Sequence, residues 1–239
     1  MQGLTGYTVR NAFHHHFDYI DKYYTPFIPA AKRMNAKIKR DIDPINNDGI
    51  TLIPQAMSIV ADEVIDLHRQ LVPYGYDEIN VNLGCPSGTV VSKKRGSGIL
   101  AYPDMLDSFL DELYTKADFP VSIKTRVGFN DDELWPRLIE IYSKYPISEL
   151  TVHPRVQKDF YKNTPRMDDF ALAMQKINPD KTTLCYNGDI TDTNSFNALT
   201  DCFPDIDEIM IGRGLFANPA LIAELKGISM DKAELRERL

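Results

Sequence analysis

Cysteine is scarce in this sequence. Cys85, Cys185 and Cys202 are the only three in 239 residues, and they stand far apart. None has the CxxC or Cys/His spacing of a zinc motif, and three scattered thiols do not make a disulfide framework. No metal site is expected, and the run His14-His15-His16 does not supply one, because consecutive residues on a helix point in different directions. Long apolar runs are missing too. Nothing approaches the roughly 20 residues that cross a bilayer, so no membrane partner is expected. The stretch from Met1 to Phe17 has no apolar core of the secretory kind, which makes the cytoplasm the expected location. Basic excess is also absent. A formal charge of −7 counts against nucleic-acid binding by the surface as a whole, yet permits a local cationic patch. Finally there is no GxGxxG, the fingerprint that a doubly wound dinucleotide fold carries after its first strand.

What is present is a regular alternation. Short β-branched, apolar runs at 25–28, 51–55, 78–82, 121–126, 149–153, 183–186 and 208–211 read as strands. Amphipathic stretches at 58–71, 103–114, 133–145, 168–177, 193–199 and 219–225 lie between or after them, and another at 8–20 precedes the first strand. Strict alternation predicts a parallel sheet with helical crossovers. Seven strands without a dinucleotide fingerprint favour a (β/α)8 TIM barrel over a doubly wound sheet, with the eighth strand placed by the pattern just before Met1. The barrel is expected over 1–226, and the charged tail at 227–239 reads as the start of a further helical domain.

In such a barrel the active site forms at the C-terminal ends of the strands. Those ends carry Gln55, then Asn82 with Cys85, Lys124 with Arg126, His153 with Arg155, Asn187-Gly188-Asp189 and Gly212-Arg213-Gly214. Strand starts are bland by comparison. The last two loops suit a phosphate, since glycine admits backbone N–H groups to an anion and Arg213 adds a fixed positive fork. Lys124 in the mouth suits an electron-rich ring edge, so a phosphorylated planar cofactor across the mouth is expected. Cys85 is a candidate general acid, since an unperturbed thiol is mostly protonated at neutral pH. A mobile loop with three cations, Lys93-Lys94-Arg95, follows it. Cys185 and Cys202 read as structural, His68 as a surface residue, and Tyr74, Tyr76, Tyr142 and Tyr145 as packing.

The segments "INVNLGCPSGTVVSKKRGSGIL", "VSIKTRVGF", "TVHPR", "NGDI" and "IMIGRGLFANPALI" resemble the tRNA dihydrouridine synthases over nearly the whole chain and in the same order. The resemblance implies an FMN-dependent barrel that uses NADPH to reduce the C5–C6 bond of tRNA uridines. Hydride would reach C6 from the flavin and Cys85 would protonate C5. Asn82 would hold the uracil edge, with Arg126 and Arg155 facing the substrate nucleotide and Lys93, Lys94 and Arg95 near the RNA backbone. Gln55, Lys124, His153, Asn187, Gly188, Asp189, Gly212 and Arg213 would contact FMN. Met1 would too, as the remnant of an Ala-Pro-Met-like turn closing a strand upstream. The family's His-Gly-Arg-Thr run reads His-Pro-Arg-Val here, so Pro154 and Val156 are expected to alter a loop near the substrate. Two other readings stay open: an FMN barrel acting on a free pyrimidine, as dihydroorotate dehydrogenases do, and a non-catalytic RNA-binding barrel.

Overall fold

The computed structural model describes residues 3–17, 19–30, 33–229 and 234. The chain begins with α1 (Tyr7–His16), β1 (Tyr23–Tyr24), β2 (Ile28–Pro29), α2 (Ala36–Ile42), β3 (Leu52–Ile53), β4 (Gln55–Met57) and α3 (Ala61–Leu71). There follow β5 (Ile79–Leu83), α4 (Gly88–Val91), α5 (Pro103–Lys116), β6 (Val121–Gly128), α6 (Trp135–Tyr142), β7 (Glu149–Val156) and α7 (Met167–Lys176). The last elements are β8 (Thr183–Tyr186), α8 (Thr193–Cys202), β9 (Glu208–Ile209), α9 (Arg213–Ala217) and α10 (Leu221–Leu225).

All strand pairs are parallel, in the order β2-β4-β5-β6-β7-β8-β9, with β1 on β3 beside them. In place of the strand expected at 25–28 there are two short pieces, β1 just before it and β2 at its end, parted at Pro26. The strand expected at 51–55 is parted at Pro54 into β3 and β4, since proline has no N–H for the ladder. The Thr25 hydroxyl mends the break by accepting the Gln55 N–H at 2.9 Å. Seven strands in chain order with helical crossovers give the (β/α)8 barrel that the sequence predicts. No helix among the described residues is long and apolar enough to cross a membrane.

The helices form for visible reasons. In α3, Val64, Leu67, His68 and Leu71 share one buried face, while Asp62 and Glu63 open the helix and Arg69 closes it. Asp192 and Ser195 make a reciprocal capping box at the start of α8. His68 corrects an expectation: it is buried, stacked on Phe119 at 3.4 Å between centroids, with its Nε2 3.0 Å from the Asp77 carbonyl. Cys202, read as structural, is exposed. Helix α2 is a further addition, since only Ile38 and Ile42 mark its inner face; the Asn35 side chain caps it by accepting the Ile38 N–H at 3.0 Å. Tyr142 and Tyr145 pack as expected, Tyr142 against Thr125 and Tyr145 stacked on Tyr114. The expected second-domain start at 227–239 falls outside the described residues, apart from 227–229 and 234.

A bulge prepares the site. Arg126 pairs with His153 but Gly128 pairs with Val156, so β7 carries one residue more than β6. Pro154 sits in that bulge, one of the few places a central strand accepts proline.

At the opposite, N-terminal end of the barrel, Lys22 lies between two carboxylates, hydrogen-bonded to Glu149 and 2.7 Å from Glu208. Tyr24 and Thr151 also donate to Glu149, at 3.0 and 2.6 Å. Burial alone would raise Glu149, but the bonds from Lys22 and Thr151 outweigh it and hold its pKa below the ordinary range. Burial pushes Glu208 up, and the neighbouring Glu149 charge adds to the shift. Among the described residues no backbone hydrogen bond joins β9 to β1 or β2, and this ammonium is a side-chain tie across that seam. Lys22→Met should therefore lower unfolding stability by about 2 kcal/mol at pH 7. The loss should shrink as pH falls through the carboxylate range, where Glu149 is protonated in the unfolded chain and then in the fold. Urea denaturation at pH 7 and pH 4 measures both, and equal curves for the two proteins would remove the seam's role.

Candidate active site

The turn after β5 is tied at every backbone group that could leave it loose. The Asn82 side-chain oxygen accepts the N–H groups of Gly84 and Cys85, at 3.1 and 2.9 Å. The three carbonyls of Gly84-Cys85-Pro86 are each held by a different element. Arg126 Nε donates to Gly84 at 3.0 Å, the Ser97 hydroxyl to Cys85 at 2.8 Å, and Gln157 Nε2 to Pro86 at 2.9 Å. Gly96 closes the arrangement at φ +54°, with its Cα so near that a Cβ would stand 2.7 Å from the Cys85 carbonyl oxygen. The segment expected to be mobile thus returns directly onto the turn and pins it. Only the half-buried Cys85 thiol is left to act.

Asn82 is itself held. Its Nδ2 donates to Gln55 Oε1 at 2.8 Å, Gln55 Nε2 to Asn80 Oδ1 at 2.9 Å, and Asn80 Nδ2 to the Ser122 hydroxyl at 3.1 Å. This amide chain runs across β4, β5 and β6, and each link fixes the orientation of the next.

Lys124 projects from β6 into the mouth and donates to Asn187 Oδ1 at 2.5 Å. Burial, with Arg126 nearby, lowers its pKa to about 8. Asn187 completes the link by donating to the Met210 carbonyl at 2.8 Å. Gly188 follows where no side chain fits, since a Cβ would meet the Tyr186 hydroxyl at 2.0 Å.

His153 Nε2 lies 3.1 Å from Arg155 Nη1. A guanidinium can only donate, so Nε2 is the acceptor and Nδ1 carries the proton. Burial and the surrounding Lys124, Arg126, Arg155 and Arg213 drive its pKa far down, which keeps the ring neutral.

Arg126 and Arg155 lie inside the wall rather than on it. Beyond Gly84, Arg126 donates to the Val156 and Phe160 carbonyls at 2.9 and 2.6 Å. Arg155 forks onto Asp189 and also holds the Lys162 and Asn163 carbonyls. Hydrogen bonding from Arg155 keeps the Asp189 carboxyl below its usual range. Together the two arginines shape the loop after β7, where Phe160 and Asn163 adopt positive φ of 52° and 59°. That loop presents Tyr161, 54% exposed, over the mouth. Its ring stacks on His153 at 6.4 Å and lies 4.7 Å from the Arg213 guanidinium and 5.6 Å from that of Arg126. Arg213 also pairs with Asp189 at 2.6 Å.

The cationic lid divides. Arg95 is tied to Glu63 at 3.1 Å, Lys94 lies over the Tyr102 ring at 4.3 Å, and Lys93 has no ion pair among the described residues. Met1 lies outside the described residues. The structure therefore gathers Gln55, Asn82, Cys85, Lys124, His153, Asn187 and Asp189 at one rim, with Arg213 beside them. Sequence reading missed Gln157, Tyr161 and Ser97. The clue for Ser97 was its place in "GSG" (96–98); a loop aromatic such as Tyr161 carried no comparable signal.

Strand ends that converge polar groups on one mouth are the arrangement with which a (β/α)8 barrel builds a site. The chain belongs to the dihydrouridine synthase family, whose model, "Dihydrouridine synthase (Dus)", matches residues 1–238. It is 29% identical over 168 residues to tRNA-dihydrouridine synthase B of Pasteurella multocida, covering 70% of this chain and 49% of that protein. Against the probable tRNA-dihydrouridine synthase of Staphylococcus aureus it is 34% identical over 154 residues, 63% of this chain and 46% of that one. Against tRNA-dihydrouridine synthase B of Escherichia coli the values are 30% over 174 residues, 72% and 53%. The chain spans about half the length of the curated relatives it matches.

Removing one tie tests the turn. Gln157→Ala leaves the Pro86 carbonyl without its donor, so stability should fall by about 1 kcal/mol and Cys85 should alkylate several-fold faster with iodoacetamide. An unchanged alkylation rate would mean that the turn holds without Gln157.

Proposed function

We propose that this chain is the catalytic barrel of an enzyme that reduces uridine in tRNA to 5,6-dihydrouridine, with FMN as cofactor and NADPH as reductant. The observation that carries the reading is a lone thiol on a turn whose backbone is fully committed, facing a mouth with more cations than anions. Lys124, Arg126, Arg155 and Arg213 converge there, while Asp189 is the only carboxylate among the described residues in direct contact with any of them at the rim. Lys124 meets an amide oxygen and, among the described residues, no carboxylate within ion-pair distance.

The donor set fits a phosphorylated flavin. Lys124 and the neutral His153, with its Nδ1–H, would hold the ring, joined by Gln55 and Asn187. Gly188, Gly212 and Arg213 would receive the phosphate, with Asp189 orienting Arg213, and Met1 belongs to the same proposed set. FMN, when bound and reduced, supplies the hydride for C6 of the pyrimidine. Cys85 delivers the matching proton to C5, so that hydride plus proton saturate the bond and the thiolate is then reprotonated from solvent. Asn82 commits its oxygen to the turn and one amide hydrogen to Gln55, and its second hydrogen suits a pyrimidine carbonyl. Arg126 and Arg155 act on the substrate through the loop they hold, which offers the Tyr161 ring at the mouth. A base must leave its stack to reach this depth. Lys93 and Lys94 face outward toward an RNA backbone, while Arg95 fixes the loop that carries them.

Two results test the assignment. Cys85→Ala should keep FMN and its reduction by NADPH, while dihydrouridine formation in tRNA drops at least 100-fold; product formed at the parental rate would remove Cys85 from the chemistry. Activity on free uracil or orotate, with none on tRNA, would instead favour the free-pyrimidine reading. Lys124 gives a pH signature. Above its pKa of about 8 the ammonium is lost, so FMN affinity should weaken between pH 7.2 and pH 9. Lys124→Met should bind FMN weakly and show no such step, with a titration of flavin fluorescence at both pH values as the readout.

A further inference from the structure

The cations of α2 form a surface that the site does not use. Between Lys22 and Asp41 the sequence has no carboxylate, yet it holds Arg33, Lys37, Lys39 and Arg40 among the described residues. All four are exposed. At about 100° per residue, Ile38 and Ile42 define the inward face of the helix, and Lys37, Lys39 and Arg40 fan across the arc opposite. The exposed side of the helix is thus cationic, with Ala36 the one neutral residue on it, and Asp41, on the flank beside Lys37, is turned in to Tyr7 and Arg10.

An exposed charge run is usually no more than a solvated face, and two observations set this one apart. The first is the lack of partners. On the outer helices α3, α5, α6 and α7 the exposed cations Arg69, Lys116, Arg137 and Lys176, and Lys144 just past α6, each meet a carboxylate within 3.3 Å. Arg33, Lys37, Lys39 and Arg40 meet none among the described residues, in a chain with seven more acidic than basic groups. The second is rigidity. A seven-residue helix does not persist alone, and this one is held from three sides. Asp41 accepts the Tyr7 N–H at 2.7 Å and pairs with the buried Arg10 at 3.3 Å. The Tyr76 hydroxyl donates to the Ile42 carbonyl at 2.5 Å, and the Met34 N–H donates to Gln70 at 3.3 Å. Four unpaired cations on an anchored platform can bind a polyanion without the cost of ordering the backbone beneath them.

The place in the fold agrees. Gln70 is at the C-terminal end of α3, while Glu63, at its N-terminal end, holds Arg95 of the lid beside Cys85. The eleven residues of α3 span about 16 Å. A nucleic-acid strand carries one phosphate roughly every 3.4 Å of rise, so a few nucleotides cover the distance from lid to helix.

We propose that the outer face of α2, with Arg33 beside it, docks the phosphate backbone of the RNA substrate, as a second contact apart from the lid. This rests on the reading of the substrate as tRNA. The contact is read by charge, so it positions the RNA without choosing a base.

The test uses the whole chain with Arg33, Lys37, Lys39 and Arg40 all changed to alanine, compared with the parent by fluorescence anisotropy on labelled tRNA between 50 and 200 mM salt. At 100 mM salt the variant should bind 10- to 100-fold more weakly. Its plot of log affinity against log salt should be shallower by about 3, at roughly 0.7 to 0.9 for each of four phosphates no longer neutralised. FMN content, the rate of flavin reduction by NADPH and the melting temperature should match the parent, since the four side chains touch neither the mouth nor the core. Equal affinity and equal salt slope for variant and parent would overturn the proposal and leave the tRNA reading standing. A parent that binds no tRNA would overturn both.

Discussion

A parallel barrel concentrates its unfinished backbone at the mouth, where strands stop and carbonyls lose their ladder partners. Burying such groups unsatisfied is costly, and here the need is met by a small set of side chains. Arg126 and Arg155 carry most of it. One binds carbonyls of the Cys85 turn, the end of β7 and the loop beyond, and the other binds that same loop together with Asp189. Each guanidinium offers five donors in a fixed fork, so a single residue can fasten several loops at once. The placement of Cys85, His153 and Tyr161 all depends on these two buried arginines.

The same arrangement sets the electrostatics. Two charged guanidiniums inside the wall raise the cost of every further positive charge nearby. Lys124 is held low by burial and by Arg126, and His153 by burial and by four cations. Structural arginines therefore tune the groups that face the mouth: they help keep the imidazole neutral and bring the lysine down to about 8. An anionic or electron-rich ligand entering the mouth relieves this strain, which is a physical source of affinity separate from shape.

Much of this was legible in the sequence, for identifiable reasons. Strands buried on both faces read as apolar runs, so β5 to β8 were clear, and the fold's rule about strand ends located Asn82, Cys85, Lys124 and His153 without any contact being known. What stayed hidden depended on distance across the fold. Arg126 and Arg155 looked like surface ligands because the carbonyls they serve lie up to 42 residues away or in an irregular loop. Nothing in the local pattern of His68 announced Phe119 as a stacking partner. Helix α2 has only two apolar markers in seven residues, too few to show a period. Tyr161 stands in a loop whose positive φ values come from tertiary ties, and a single sequence does not encode these locally.

Net charge was the least informative of the global measures, and screening explains why. At physiological ionic strength a surface charge is felt over about 8 Å, far less than the width of a barrel of this size. A polyanion approaching the mouth senses Arg213, Lys93 and Lys94, while on the distant flanks Asp62, Asp104 and Asp107 are paired with Lys116, Arg137 and Lys144. Glu149, the most buried carboxylate among the described residues, lies at the far end of the barrel with Lys22 against it. Pairing some acids away from the mouth, and placing at the mouth four cations that share the single carboxylate of Asp189, gives a polarised surface on a chain of charge −7. The sign of the total then reports on solubility, while the unpaired residues decide what binds.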